Sequence, residues 1–354
     1  MDKQENKTTL IKEIVINDNN KDESANDNYI KHSAFLNKNV NSDFIVINNN
    51  NSINFYIEED NDYIMKYSFK ESNYIYDYKV FNLDLYHPSK VFVCSKSNPI
   101  RMLDNYAKTE RTFLLRNNNE EIYNPIFVGI DMYGVNLYSG NNFLSKIDLI
   151  NGNVSYISKP NNNKWNLLSC FDFNYQHSFY LIGSYSKNLY FMDYYNNNII
   201  FEQKHSNAIN QCVFVENNPN YYVINYRNSL YMSMFDVRAY DKEVANFFKH
   251  TIGSNQKITF TIDNNILYTG TSNGYIISYD LVQLTYDKHF SINNGDNNSN
   301  SNINSDVNYN PINSVDVSNI SNNKKILLAS TGGRIYENEE NNYNNKSSIY
   351  LYNI

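Results

Sequence analysis

A short apolar strand that ends in aspartate recurs along the chain, and its spacing restricts the fold more than any other sequence feature. The copies end at Asp104, Asp148, Asp193, Asp236 and Asp280, so the successive intervals are 44, 45, 43 and 44 residues. A period of about 40 to 45 residues is typical of four-stranded WD-repeat blades, and it lies between the ankyrin and kelch periods. Because a single blade cannot bury both of its faces, the repeat predicts a closed propeller.

A second marker keeps the same phase. Three segments, Ser169–Phe173, Gln211–Val215 and Asn313–Val317, each have the pattern of a strand that opens a blade. Counting units from Phe35 gives seven, the last of them split by an insertion, and seven blades close a propeller without leaving sheet edges. We therefore predict an all-β fold, a seven-bladed WD-repeat β-propeller over residues 32–354.

The clearest single hairpin lies between Ile266 and Leu281. Leu267 and Tyr268 lead into Thr269-Gly270, and Tyr275 to Tyr279 is the return strand. Ser272–Gly274 supplies residues that accept positive φ for the turn between the two strands. We predict that this hairpin forms two inner strands of the sixth blade.

The remaining segments are polar. Residues 1–31 have little to bury and are expected to be mostly disordered, except that residues 10–16 are apolar enough to supply the strand that closes the propeller. An Asn-rich insertion occupies about residues 291–311, and shorter Asn tracts fall between predicted strands. Asn-rich tracts occur in prion-like or RNA-associated segments, but the tolerance of Asn for turns favours plain loop insertions here.

Composition narrows the function classes. A net charge of −7 argues against indiscriminate nucleic-acid binding, although a local basic patch is compatible with it. The three cysteines form no CxxC pair and the six histidines have no metal spacing, so we expect buried thiols and neither a metal nor a cofactor. No catalytic motif and no apolar run of membrane-spanning length occurs, so we expect no enzyme, no small-molecule substrate and no membrane partner.

Binding is then the expected role, and the loops at the blade ends carry the basic residues that would serve it. These are Lys96, Arg101, Arg116, Lys187, Arg227, Arg238, Lys257 and Arg334. Arg227 follows Tyr226, and arginine beside an aromatic ring suits stacking and phosphate contact with single-stranded RNA. The alternative, an arginine that bridges adjacent blades through a carboxylate, fits the sequence equally well.

The second unit has a pattern that points to a known family. Tyr74–Tyr78 is followed by Ser95–Ile100, Asp104 and Arg111, and this order resembles the telomerase Cajal body protein family of WD-repeat proteins. Similar motifs continue in the same order at Arg116, Asn119–Glu121, Tyr138–Asn141, Ser169–Cys170, Gly183–Leu189, His205, Arg227, Phe235–Arg238, Asn255–Ile258, Phe260, Asp263, Thr269–Gly274 and Ala329–Tyr336. One departure is that the repeat tryptophan is absent, since Trp165 is the only Trp and lies outside a WD position.

The resemblance implies a nuclear, non-catalytic protein that binds small nuclear or Cajal body RNA, telomerase RNA included, and assists ribonucleoprotein localisation or assembly. Fungal relatives are associated with pre-mRNA splicing, so the alternative is a protein-interaction scaffold with no direct RNA contact. The partners implied are that RNA and its ribonucleoprotein proteins. The candidate RNA-binding residues are Arg227, Arg238, Lys257, Arg116 and Lys187.

Overall fold

The protein is a seven-bladed β-propeller of four-stranded antiparallel sheets, as predicted. The structure is a computed structural model that describes residues 8–16, 29–82, 88–116, 120–131, 133–160, 164–240, 242–249, 257–291, 311–320, 324–332 and 347–354. The described residues contain no α-helix, and hence no helix long and apolar enough to cross a membrane.

Six blades follow chain order, with the first strand of each sheet paired to the second, the second to the third and the third to the fourth. Blade 1 consists of β2 (Ile30–Phe35), β3 (Phe44–Asn48), β4 (Ser52–Glu59) and β5 (Asp62–Lys70). Blade 2 consists of β6 (Ile75–Phe81), β7 (Lys90–Ser95), β8 (Ile100–Leu103) and β9 (Thr109–Phe113). Blade 3 consists of β10 (Phe127–Ile130), β11 (Asn136–Gly140), β12 (Leu144–Asp148) and β13 (Val154–Tyr156). Blade 4 consists of β14 (Leu168–Asn174), β15 (Phe179–Ser184), β16 (Asn188–Asp193) and β17 (Ile199–Lys204). Blade 5 consists of β18 (Ile209–Phe214), β19 (Tyr221–Tyr226), β20 (Tyr231–Asp236) and β21 (Glu243–Phe248). Blade 6 consists of β22 (Phe260–Asp263), β23 (Ile266–Gly270), β24 (Tyr275–Asp280) and β25 (Thr285–Ser291).

Blade 7 takes its strands from both ends of the chain. β26 (Ile312–Ile320), β27 (Lys324–Thr331) and β28 (Ser347–Asn353) come last in the chain, and β1 (Thr9–Ile16) completes the sheet as its fourth strand. β1 pairs antiparallel with β28 from Thr9 opposite Asn353 to Ile16 opposite Ser347. The segment expected to supply a closing strand is thus a strand, whereas residues 1–7 and 17–28 of the predicted tail lie outside the described residues, as does most of the Asn-rich insertion.

Contacts divide the chain into two compact units. The unit Asn51–Phe248 contains blades 2 to 5, and aromatic and aliphatic side chains fill the space between its neighbouring blades; one such cluster joins Leu181 and Phe191 of blade 4 to Tyr222 and Phe235 of blade 5. The other unit joins Met1–Asn50 to Lys249–Ile354 and contains blades 6 and 7. Its core is formed by side chains such as Ile276, Ile312, Leu327 and Tyr350.

The repeated aspartates end the third strands of blades 3 to 6, and Asp104 directly follows the third strand of blade 2, which confirms the predicted register. Each carboxylate accepts hydrogen bonds from backbone amides two to four residues later, and this holds the turn into the fourth strand. Asp193, for example, accepts the amides of Tyr195 and Asn196, each at 2.9 Å. Equivalent bonds form at Asp104, Asp148, Asp236 and Asp280. The tract Asn196–Asn198 belongs to such a turn, as the loop interpretation of the Asn tracts expects.

Within each unit, the first strands of neighbouring blades lie against one another and carry polar links between blades. Asp172 on β14 accepts the amide of Phe214 on β18 at 2.7 Å, and Asp316 on β26 accepts the amide of Phe35 on β2 at 3.0 Å. The fourth strands β5, β9, β17 and β21 instead consist mostly of exposed and half-buried residues, and in β17 the two kinds alternate. First strands therefore form the inner part of the sheet and fourth strands its outer part.

Candidate functional site

The strand order sorts the loops of each blade to two ends. Because antiparallel strands alternate in direction, the turn between the second and third strands emerges at the end where the chain enters the first strand. We call this the upper end. The lower end carries the turn between the third and fourth strands.

The upper turns of blades 2, 4 and 5 share one backbone bond. Lys96, Tyr185 and Arg227 each follow the last residue of the second strand, and each donates its amide to a carbonyl just before the first strand of the same blade, at 2.9, 2.9 and 2.7 Å. These three residues therefore occupy equivalent positions within the unit Asn51–Phe248. Adjacent blades present their side chains at neighbouring places on the upper end.

Blades 4 and 5 bring an aromatic ring and a cation together at this position. The guanidinium carbon of Arg227 lies 5.7 Å from the ring centroid of Tyr185, which is the geometry of a cation–π contact. Lys187, exposed and at φ 73°, lies two residues after Tyr185 in the same turn. A Tyr–Arg pair with an adjacent lysine combines a stacking surface with charge that can contact phosphate.

Several cations at the upper end have no carboxylate partner among the residues that the structure describes. In the described part of the chain, the upper-end side chains of Lys96, Lys164, Lys187, Lys204 and Arg227 form no ion pair. Other cations of the same unit are paired, as Arg101 is with Glu71 and Lys159 with Glu202. Among the described residues, a carboxylate partner, the alternative left open for Arg227, is thus found at Arg101 and Lys159 and not at Arg227.

His205 lies beneath the upper turns of blades 4 and 5 and contacts both of them. Its amide donates to the carbonyl of Lys187 at 2.7 Å, and its Nδ1 lies 3.0 Å from the hydroxyl of Tyr226, the residue before Arg227. Burial lowers the pKa of His205 to about 4, so the ring is neutral at physiological pH. It also packs edge-on against Phe235 at 5.4 Å. His205 is therefore a positioning residue for both turns.

Two further candidates lie elsewhere in the same unit. Arg238 is in the lower turn of blade 5, the opposite end from Arg227, and its Nη2 lies 2.6 Å from Asp236 Oδ2. Arg116 lies in the loop between blades 2 and 3, where the hydroxyl of Tyr156 accepts its amide at 2.9 Å and donates to its carbonyl at 2.6 Å. The Arg116 guanidinium is half exposed and lies 3.9 Å from Glu120.

Lys257 belongs to the other unit, where it lies just before β22. Burial, and then the positive charges of Lys257 and Lys31, lower the pKa of His32 to about 3. The His32 ring is therefore neutral at physiological pH, and the ammonium groups of Lys257 and Lys31 lie close enough to disfavour its protonation. Arg334, another basic residue noted from the sequence, lies outside the described residues.

Sequence reasoning selected Arg227 and Lys187 but missed Tyr185 as their partner. The available signal was the phase of the repeat, because Tyr185 stands 193 − 185 = 8 residues before Asp193 and Arg227 stands 236 − 227 = 9 residues before Asp236. Among the described residues, no group of three or more His, Cys, Asp or Glu is arranged to hold a metal ion.

Comparison with known proteins adds no identification. No protein-family model matches the chain, and no curated protein matches it. The fold is what is established. A β-propeller of this kind is consistent with a WD-repeat-like interaction scaffold.

Proposed function

We propose that the protein binds single-stranded RNA at the upper end of blades 4 and 5 and acts without catalysis. The family resemblance supplies the RNA class: small nuclear or Cajal body RNA, with telomerase RNA among the candidates. In this proposal the protein assists assembly or localisation of the ribonucleoprotein in the nucleus. Its partners are the RNA and the proteins of that particle.

The observation that carries the proposal is the contact of Tyr185 with Arg227, an arginine that forms no ion pair with any carboxylate in the described ranges of the chain. The guanidinium lies 5.7 Å from the ring centroid, and Lys187 stands in the same turn. A base that stacks on an aromatic or guanidinium plane contributes about 1 to 3 kcal/mol. Arginine without a carboxylate partner retains its charge for phosphate, so this surface suits an unpaired RNA segment.

The test begins with ultraviolet cross-linking, recovery of the bound RNA and measurement of its affinity at several salt concentrations. The affinity falls as the salt concentration rises, so the slope of log K against log salt is negative. Removal of one phosphate-binding side chain should make this slope less steep by about 0.7. Arg227→Ala and Lys187→Ala are each expected to reduce the slope in this way and to keep the fold. Arg238→Ala is the matched control, because its arginine lies on the same blade, at the opposite end, and is paired with Asp236.

The same experiment extends to Arg116 and Lys257, which remain RNA-contact candidates in our proposal. Arg116→Ala and Lys257→Ala are expected to lower the salt slope with unchanged thermal melting if these side chains contact phosphate. If melting falls first and affinity only follows, the residue is structural. Failure to recover any RNA from the wild-type protein would refute RNA binding.

A second candidate function, a splicing-associated protein scaffold without direct RNA contact, is favoured by a different observation. Equivalent positions in the lower turns of blades 2 to 4 expose large apolar or aromatic side chains: Tyr106, Ile150 and Tyr195, which are 59%, 73% and 76% exposed. Tyrosine in particular is enriched in protein interfaces. Serine at all three positions would abolish partner binding under this alternative and leave it unchanged if the upper end alone is functional.

A further inference from the structure

Two cysteines from neighbouring blades face each other in the interior. Cys170 lies on β14 of blade 4 and Cys212 on β18 of blade 5, and their Sγ atoms are 3.6 Å apart. Both side chains are buried and neither is in a disulfide. Sulfur atoms at this separation are in contact but are not bonded.

Hydrogen bonds on both sides of the cysteine pair fix the two strands. The Ser169 hydroxyl donates to the Ile209 carbonyl at 2.6 Å, and the Phe214 amide donates to Asp172 at 2.7 Å. Because one bond lies before the cysteines and the other after them, β14 and β18 cannot slide past each other without breaking both. Cys170 and Cys212 therefore stay opposite each other in the folded protein.

The second strand of blade 4 provides room for the sulfurs. Gly183 pairs with Cys170 across the sheet, and a Cβ at Gly183 would lie 2.5 Å from Cys170 Sγ. The same Cβ would lie 2.6 Å from Cγ2 of Ile209 on blade 5. Because Gly183 has no side chain, Cys170 Sγ can occupy this space between the blades.

The thiols are protected in the reduced state. The hydrogen bond with Cys170, followed by burial, raises the pKa of Cys212 well above its ordinary value. A protonated, buried thiol reacts slowly with oxidants. Reaction therefore requires opening of the interface between blades 4 and 5, and its rate reports that opening.

We propose that Cys170 and Cys212 form an oxidative modification site, at which a peroxide closes an inter-blade disulfide. One thiol loses its proton, and its thiolate attacks the peroxide and becomes a sulfenic acid; the hydroxide that leaves combines with that proton to form water. The second sulfur then attacks the sulfenic sulfur, forms the S–S bond and releases a second water. The two sulfurs lose two electrons in total and the peroxide gains them.

The geometry requires only a local movement. A disulfide is about 2.05 Å long, so the two sulfurs must approach by roughly 1.5 Å from their present separation. The bond would close a loop between residues 170 and 212 and link two blades covalently. A cross-link of this length restricts the unfolded chain, so the oxidised protein should melt at a temperature several degrees higher.

The experiment uses the full chain and hydrogen peroxide. Reduced protein is oxidised, remaining thiols are blocked with N-ethylmaleimide, and disulfide-linked peptides are mapped by mass spectrometry. We expect thiol titration to fall from three to one per chain, a linked peptide pair containing Cys170 and Cys212, and a melting temperature that returns to its original value after reduction. Cys94→Ala, which removes the buried cysteine of blade 2, should leave the linked peptide unchanged.

Other outcomes would overturn the proposal. Three remaining thiols after prolonged oxidation, a bridge to Cys94, or bridges only between separate chains would each exclude the inter-blade disulfide. Cys212→Ala should abolish both the linked peptide and the gain in melting temperature. Since the peptide map of the wild-type protein is decisive by itself, the test stands even if this variant does not fold.

Discussion

Replacing Asp172 with asparagine is expected to stabilise the protein at neutral pH, although it alters a hydrogen bond between two blades. The carboxylate accepts the Phe214 amide at 2.7 Å, yet burial raises the pKa of Asp172 to about 6. Burial outweighs the positive charge of Lys79 and the backbone hydrogen bonds, which act in the opposite direction. Asparagine keeps an acceptor oxygen for the Phe214 amide and carries no charge to desolvate.

The sign and size follow from the pKa in the two states. The folded pKa of about 6 lies above the ordinary value of 3.8, so ionised Asp172 lowers stability above pH 6 and has no such effect below 3.8. A difference of 6 − 3.8 = 2.2 corresponds to about 3 kcal/mol at about 1.36 kcal/mol for each pH unit. Asp172 retains some solvent exposure and the asparagine amide needs its own partner, so we expect a gain of about 1 to 2 kcal/mol.

The assay is urea unfolding of both proteins between about pH 4 and pH 8. The advantage of Asp172→Asn should be largest at neutral pH and should disappear towards pH 4. Asp236→Asn is a control of opposite sign, because the hydrogen bond from Arg238 lowers the pKa of Asp236. Ionised Asp236 therefore stabilises the fold at neutral pH, and that contribution disappears in acid. An Asp172→Asn protein that is less stable than wild type at neutral pH would refute the reasoning.

Two further predictions concern the fold. A Cβ at Gly270 would lie 2.4 Å from the Ile312 carbonyl oxygen, and Gly274 has φ 79°. Alanine at either position should therefore lower the free energy of unfolding by on the order of 1 to 3 kcal/mol. Unchanged thermal melting of both variants would contradict this prediction. Ile14→Pro should separate β1 from β28, because Ile14 pairs with Ile349 in the middle of the closing strand, and limited proteolysis should then cleave blade 7 faster. Ile349 is buried on β28. If the chain around Ile349 is cleaved no faster in Ile14→Pro than in the wild type, the closing strand does not stabilise blade 7 and the prediction is wrong.

The parts of the fold that the sequence predicted are those set by local chemistry. An aspartate that accepts amides two or three residues later must stand at a fixed place in its turn, so Asp148 and Asp280 mark equivalent strand ends. The hairpin from Ile266 to Asp280 is equally local, and its strands pair as predicted. The geometry of a turn depends on a few adjacent residues. The recurring turn aspartate can therefore be found in the sequence, and its spacing gives the period of the blades.

The parts that were missed depend on register and on packing between blades. β14 and β18 each contain a bulge near their start, after Leu168 and Ile209, and this extra residue breaks the alternation that a sequence pattern can show. The contact of Tyr185 with Arg227 joins residues 42 positions apart, and only the packing of blade 4 on blade 5 creates it. Arg227 and Arg238, by contrast, stand on either side of the strand that ends in Asp236, so the repeat is enough to place them at opposite ends of the blade.

Closure of blade 7 has a consequence for how the protein is made. β1 is the first of the described strands to leave the ribosome and β28 is the last, and the pairing of Thr9 with Asn353 spans 344 residues. β1 therefore has no partner in the sheet during the synthesis of all six other blades. Contacts of such long sequence separation form slowly, and an unpaired strand is prone to join other chains. We therefore expect the yield of folded protein to depend on how well β1 is shielded until synthesis of β28 is complete.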